Sequence, residues 1–405
     1  MRAVATLCML CFAVVSDPQM QASAGGGRGQ QSQPQFIAEW TARTAATARR
    51  ALEGVRTAPS SDLKLEVGPE QSEYAIFSPV TVFVRLSNAR AEPVTGNLQL
   101  GERHGRLFAY VARSDQSFVP CVSKALVFAQ LEDMIAPNLS LPAGGCILVR
   151  VSLLYDHVTQ DYAFPQPATY RVKVAFVYDT SDYSKVIESN IAEIRVASAS
   201  GEEAQALSLF EGREQAQVLQ RESADPDALA KLRAVVETCP DSEYALYARA
   251  AVSQSRAGVG GIDLPAADRP LGPRHQAILQ RAIATLCDTS QTVYGRMGAA
   301  LRLGEQLGHR DAVAALLSAI NDGASPLEVR LSAVVALSQI PDKLAVERLL
   351  DVAEQNPEPR VRDRARLQLN HMGVPNASAW RGLVKDVWVP RAAGNTTVIL
   401  DESHK

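Results

Sequence analysis

The chain has 405 residues, 46% of them hydrophobic and 21% charged, with a formal net charge of −3. That is an ordinary globular mixture with room for two or three domains. So even a balance excludes a whole-chain field that would draw in a nucleic-acid backbone or an anionic membrane, and neither partner is expected on charge.

Residues 1–24, MRAVATLCMLCFAVVSDPQMQASA, set one arginine before an apolar run and end in Ala22-Ser23-Ala24, the layout of a secretory signal peptide. No other stretch is long and apolar enough to cross a bilayer, so the expectation is a soluble chain exported to the periplasm or beyond the cell. Cys8 and Cys11 lie inside that run and are set aside as a redox or metal motif. Cys121, Cys146, Cys239 and Cys287 remain. An oxidising compartment allows bridges, and the economical pairing joins Cys121 to Cys146 and Cys239 to Cys287; the competing reading is four free thiols packed as small hydrophobes. Residues 25–61 hold a Gly- and Gln-rich linker, then Phe36, Ile37, Trp40, Thr44, Ala48, Leu52 and Val55 at helical spacing. One amphipathic helix of this length is marginal in water and is expected to dock on the body of the protein.

Over residues 62–198 the period becomes two. Val80, Val82, Val84 and Leu86 alternate with Thr81, Phe83, Arg85 and Ser87, and Ile147, Val149, Val151 and Leu153 alternate with Leu148, Arg150 and Ser152. Each run suits a strand with one face on a core and the other nearer solvent. Turn signals such as Pro142-Ala143-Gly144-Gly145 divide the region into seven or eight short strands, the pattern of an antiparallel sandwich. The stretch PQPATYRVKVAFVYD resembles the late strand of immunoglobulin- or fibronectin-like domains, in which Tyr170 would be a corner tyrosine. That resemblance implies a fold and no activity.

After Ser200 the chain turns helical. Residues 202–255 read as helical hairpins, the stretch 238–251 being a weak match to tetratricopeptide-like pairs that repeats at 286–299; residues 256–273 read as a loop. Over 274–372 a solenoid period follows: Arg296, Ala300 and Leu307 align with Val329, Ala333 and Ile340, and these with Val361, Ala365 and Met372, leaving Met297 where later copies have Arg330 and Arg362. Pro326, Pro357 and Pro359 stand at helix starts, and Asp342 is placed to cap. LEVRLSAVVALSQIPDKLAVERLLDVAEQN resembles a HEAT repeat of the short bacterial type. The resemblance implies stacked helix pairs whose surface carries a partner protein. Residues 373–405 form a tail in which Val384, Val387 and Trp388 are expected to cap the stack.

Catalytic signals are missing where they would be expected. The six histidines fall in no ligand-spaced cluster, and neither a nucleophile elbow nor a Walker lysine is present. No cofactor or metal is expected. The whole therefore reads as an all-β antiparallel sandwich followed by an all-α helical-repeat region, an exported scaffold that offers a helical surface to a protein or peptide. Glu328, Arg330, Arg362 and Arg366 on the second helices are the candidate contacts. Two competing expectations remain: an enzyme or enzyme subunit with its site at the sandwich–helix junction, or a carbohydrate or small-ligand binder with Tyr110, Tyr155 and Tyr162 stacking on the ligand.

Overall fold

The computed structural model describes residues 41–51 (except 43), 63–100 (except 97 and 99), 106–123, 139–177, 186–220, 223, 225–254, 267–372 and 398–400. All belong to one compact unit, Trp40–Lys405. The expected leader, the linker and the tail residues Val384, Val387 and Trp388 lie outside the described residues.

The two alternating runs form strands, Val80–Asn88 and Cys146–Leu153, but residues 62–198 hold thirteen strands among the described residues rather than seven or eight, because several are only two or three residues long, too short to show a period. One antiparallel sheet runs β1 (Leu63–Pro69), β3 (Val80–Asn88), β8 (Cys146–Leu153) and β14 (Val398–Leu400) in that spatial order. A second runs β2 (Glu73–Ala75), β13 (Ala192–Ala197), β11 (Ala168–Val177), β5 (Leu107–Arg113) and β6 (Val119–Cys121), with β12 (Val186–Glu188) also on β11. Only β2 and β13 pair in parallel within it. Two short ribbons complete the module: β4 (Val94–Gly96) with β7 (Leu139–Leu141), and β9 (Tyr155–Asp156) with β10 (Asp161–Tyr162). The sheets share one core, in which Val82, Val84, Val149 and Val151 meet Val172, Val174, Phe176 and Val111. Tyr170 closes the start of β11 on itself: its hydroxyl donates to the Gln166 carbonyl at 2.9 Å and accepts from the Gln166 amide at 3.2 Å. A backbone bond a few residues upstream is what a corner tyrosine makes.

The opposite face of the first sheet does not meet solvent as alternation alone led one to expect. Phe83, Cys146 and Leu148 pack into the same core as Met297, Leu301 and Leu331 of the later helices. A phenylalanine and a leucine set diagonally on neighbouring strands, Phe83 opposite Arg150 and Leu148 opposite Arg85, carry too much apolar area to face water, and a helical layer covers them. On the second sheet the N-terminal helix α1 (41–51) does dock as expected, setting Ala48 and Ala51 against Phe108, Tyr110 and Val177. Tyr110 donates its hydroxyl to the Ala48 carbonyl at 2.7 Å.

The helices begin with α2 (Glu202–Phe210), α3 (Arg213–Leu219), α4 (Pro226–Thr238) and α5 (Glu243–Gln254), which share a core around Phe210, Leu232 and Tyr244. Three pairs follow: α6 (Pro273–Cys287) with α7 (Val293–Leu301), α8 (Ala312–Asn321) with α9 (Leu327–Leu337), and α10 (Lys343–Gln355) with α11 (Pro359–His371). The second helices α7, α9 and α11 lie side by side in chain order. Asp342 caps α10 as expected, accepting from Leu344 N at 2.7 Å. The start of α6 is capped from outside. Its preceding residue, Gly272, has no side chain to offer, and the Asp241 carboxylate on the turn before α5 accepts from Arg274 N (2.9 Å) and His275 N (3.0 Å) instead. A Cβ on Gly272 would strike that carboxylate, so glycine is what lets the cap approach.

The structure corrects the repeat register by one residue. Arg296 Nε donates to the Leu286 carbonyl at 2.9 Å, and Arg330 Nε makes the same bond to Ile320 at 2.9 Å. These equivalents are 330 − 296 = 34 apart, so Arg296, not Met297, is the counterpart of Arg330. At the helix ends, Leu307 and Ile340 are 340 − 307 = 33 apart and both buried. The first pair thus holds one extra residue between arginine and last leucine. It is absorbed as a π-helical turn, Arg302–Leu307, continuing α7.

Candidate functional site between the sheets and the helices

The π-helical turn supplies the side chains that cross the junction. Glu70, just past β1, is almost wholly buried, and its Oε2 accepts from Arg150 Nε at 2.9 Å and Nη2 at 2.7 Å. Arg150, on β8, also pairs through Nη1 with Glu305 on the turn. On the same turn Arg302 pairs with Glu243 of α5 at 2.7 Å and donates to Gln71 Oε1. Burial pushes the Glu70 carboxyl above its ordinary value, and Arg150 opposes that push. Helix and sheet are pressed so close here that a Cβ on Gly298 of α7 would sit inside the Glu70 backbone. Removing one arm of a buried charge network leaves an uncompensated ion, so this contact fixes how the two modules meet.

Beside it opens a cleft of about 450 Å³ whose walls come from both modules. β1 contributes Glu66 to Pro69, the β12–β13 connection contributes Asn190 and Ile191, and the helices contribute Thr292, Val293, Tyr294 and Glu328. Tyr294 lies over Gly68, where any larger residue would collide with its ring, and stacks on Phe83 with ring centroids 6.1 Å apart. Most polar side chains of the cleft are already engaged, although the buried Nε of Arg85 has no hydrogen bond among the described residues. Glu328 pairs with Arg85 at 3.5 Å, Glu66 with Lys64 at 2.7 Å, Asn190 bonds both the amide and the carbonyl of Val67, and Thr292 caps α7. Ile191 at the rim is 49% exposed, an unusual position for so large an apolar side chain beside a concave surface. The cleft can therefore receive a small apolar group flanked by backbone. Among the described residues no cluster of three or more His, Cys, Asp or Glu side chains is placed to hold a metal ion.

Of the four expected contact residues, Glu328 alone lines the cleft. Arg330 is 6% exposed, and its guanidinium is spent on the Ile320 carbonyl and on Asn356 Oδ1 at 3.2 Å; it ties pair to pair rather than waiting at a surface. Arg362 donates to the carbonyls of Asn356 (2.6 Å) and Pro357 (3.1 Å), and half-buried Arg366 pairs with Asp363 at 3.2 Å. The expected bridges do not form: none of the four cysteines is in a disulfide. Cys121 lies in the core between the sheets, Cys146 on the far face of the first sheet, Cys239 inside the α2–α5 core, and Cys287 at an exposed helix end. Nor do the three tyrosines make an exposed strip. Tyr110 lies under α1 and Tyr155 is buried, while Tyr162 stacks on Phe77 at 4.1 Å and bonds Gly212, joining the sheets to α3. The junction residues that sequence reasoning passed over, Glu70, Arg85, Arg150, Arg302 and Glu305, had one signal: Arg85 and Arg150 share phase with Phe83 and Leu148 on their strands.

Comparison with known proteins supports the helical half. The family of HEAT repeats matches residues 279–370, which takes in α7 to α11 and most of α6. No curated protein matches the chain. Among solved structures, β-glucosidase from Listeria innocua in complex with glucose matches over 35% of this chain and 17% of its own, at 14% identity and a TM-score of 0.20. Spo0M, a sporulation control protein from Bacillus subtilis, matches over 37% of this chain and 55% of its own, at 9% identity and a TM-score of 0.21. This chain thus spans well under two thirds of either.

Proposed function

We propose that the chain is an exported, noncatalytic interaction protein: an immunoglobulin- or fibronectin-like sandwich on which a short HEAT solenoid is mounted, offering a helical surface to a protein or peptide. HEAT repeats commonly mediate contacts between proteins, and residues 279–370 match them. The observation that carries the reading is where the second-helix layer points. The chain's own first sheet covers the side of α7 and α9 that bears Met297, Leu301 and Leu331, so company must come from elsewhere on the helices. The cleft edged by Val293, Tyr294 and Ile191 is the place where helices and sandwich together leave an apolar, concave surface. Most of its polar side chains are occupied by structural partners, which supports binding over catalysis. Export rests on the leader-like residues 1–24.

The experiment is affinity capture from the envelope fraction of the source cells with the wild-type chain and with Ile191→Asp. Ile191 is half exposed, so the variant keeps the wild-type circular dichroism and Tm. The expected result is a small, reproducible set of proteins held by the wild type and lost by the variant. Equal recovery by both refutes the cleft; an empty wild-type capture refutes the interaction reading. Fusing residues 1–24 to alkaline phosphatase, active only after export, tests the compartment separately.

A further inference from the structure

The helix-facing side of the first sheet holds a second, smaller cavity of about 30 Å³, walled by apolar residues such as Phe83, Leu148, Met297 and Leu331 and by the polar side chains of Arg150, Ser332, Glu328 and Arg364. One charged side chain on its wall stands apart. Arg364 of α11 is 2% exposed and is the largest fully buried side chain among the described residues. Five other inward-pointing arginines are held: Arg150 by Glu70 and Glu305, Arg302 by Glu243, Arg85 by Glu328, and Arg296 and Arg330 by helix-end carbonyls. For Arg364 no described residue supplies an acceptor or an opposing charge, and its Nη1 is fully buried without a hydrogen bond. Burial alone draws its pKa down, to about 10, which leaves it a cation at neutral pH.

A guanidinium out of water with no counter-charge is among the costliest groups a fold can hold, and it is normally neutralised by pairing. Glu328, also on this wall, is turned to Arg85. The space is larger than the roughly 10–15 Å³ that one water-sized particle needs, and it is far too narrow for a drug-sized ligand. We propose that this cavity is a binding site for a small monovalent anion of halide size, held by the Arg364 guanidinium among mostly apolar walls on which Arg150 and Ser332 also stand. The site lies between strand and helix layers, so its occupant bridges the two modules and binds the folded chain only. Mass action then makes stability rise with anion concentration and saturate.

The test is the Tm of the full chain in sodium chloride, sodium bromide and sodium gluconate at one ionic strength, for wild type and Arg364→Met. The wild type is expected to gain Tm as gluconate is replaced by either halide, along a saturating curve, while Arg364→Met shows no halide dependence. A wild-type Tm indifferent to the anion, as a water-solvated guanidinium would give, overturns the proposal. So does an equal halide response in Arg364→Met, which would mark an adventitious ion only. Should the variant not fold, anomalous scattering from bromide-soaked wild-type crystals decides: a peak beside the Arg364 guanidinium supports the site and its absence overturns it.

Discussion

Replacing Arg150 with methionine isolates the charge network that holds sheet to helices. Methionine keeps the stem's apolar contacts and removes the cation. Glu70 is then a buried carboxylate with no arginine on it, since its Oε2 accepts from Arg150 and its Oε1 accepts nothing among the described residues. Deleting one member of such a pair costs about 3–5 kcal/mol. Losing the bond to Glu305 adds less than about 1 kcal/mol, because that carboxylate is a quarter exposed and water replaces the arginine. The expected deficit is about 3–6 kcal/mol at pH 8, read from urea unfolding followed by far-UV circular dichroism. It depends on pH with a definite sign. Burial already raises the Glu70 carboxyl, and without Arg150 it rises further. A carboxyl with a higher pKa folded than unfolded takes up a proton on folding, so stability grows as pH falls through the folded value and is fully regained below the unfolded value of about 4.3. The deficit therefore shrinks from pH 8 to pH 5. Adding Glu70→Gln to Arg150→Met removes the stranded charge and recovers most of the loss at pH 8. A single variant within about 1 kcal/mol of wild type, or equally weakened at pH 5 and pH 8, would refute the account.

Gly298→Ala drives a methyl into the Glu70 backbone, which has no flexible end to yield; overpacking of about 1–3 kcal/mol outweighs the roughly 1 kcal/mol helix-propensity gain, so Tm falls. Arg330→Met strands the Ile320 carbonyl and takes one of two donors from Asn356 Oδ1, which keeps the Glu358 amide, and is expected to cost about 1–3 kcal/mol in urea unfolding, where a residue serving only as a partner contact would cost nothing. Alkylation of the native protein with iodoacetamide, mapped by peptide mass, is expected to label Cys287 and to spare Cys121, Cys146 and Cys239 until the chain is unfolded; a disulfide-linked peptide pair among the four contradicts the structure.

Alternation made the strands legible, since Val80 to Leu86 and Ile147 to Leu153 can keep one apolar face only in extended backbone. What it left open was the identity of the second face. A period of two says that the faces differ, and Arg85 and Arg150 made the second one read as solvent. Phe83 and Leu148, in the same phase, pointed to a covering layer, and the arginines prove to be reaching for carboxylates on that layer. The helical half was legible from its repeat, but a single offset of 33 fits only the end of the first pair. The inserted residue is taken up by a π-helical turn that no propensity scale marks, and this turn carries Arg302 and Glu305, the junction's reach across to Gln71 and Arg150. The cysteines show the limit of counting. An even number in an exported chain permits bridges, yet Cys121 and Cys146 lie on opposite sides of the first sheet.

The arginines near the start of each second helix explain why repeat position alone does not assign a contact residue. Arg296 bonds back to Leu286, at the end of its own first helix, and forward to Ser325 in the loop of the next pair at 2.7 Å. Arg330 repeats this, back to Ile320 and forward to Asn356. Each is a fastener between consecutive pairs, buried because the pairs are stacked. Arg362, in the corresponding place on α11, has no described pair following it, and its guanidinium turns back onto Asn356 and Pro357 in its own loop. The same residue type in the same register is thus a buried inter-pair tie twice and a local loop clasp once. The difference is set by whether a neighbour lies ahead, so an arginine that looks available in one repeat has its role fixed by the next.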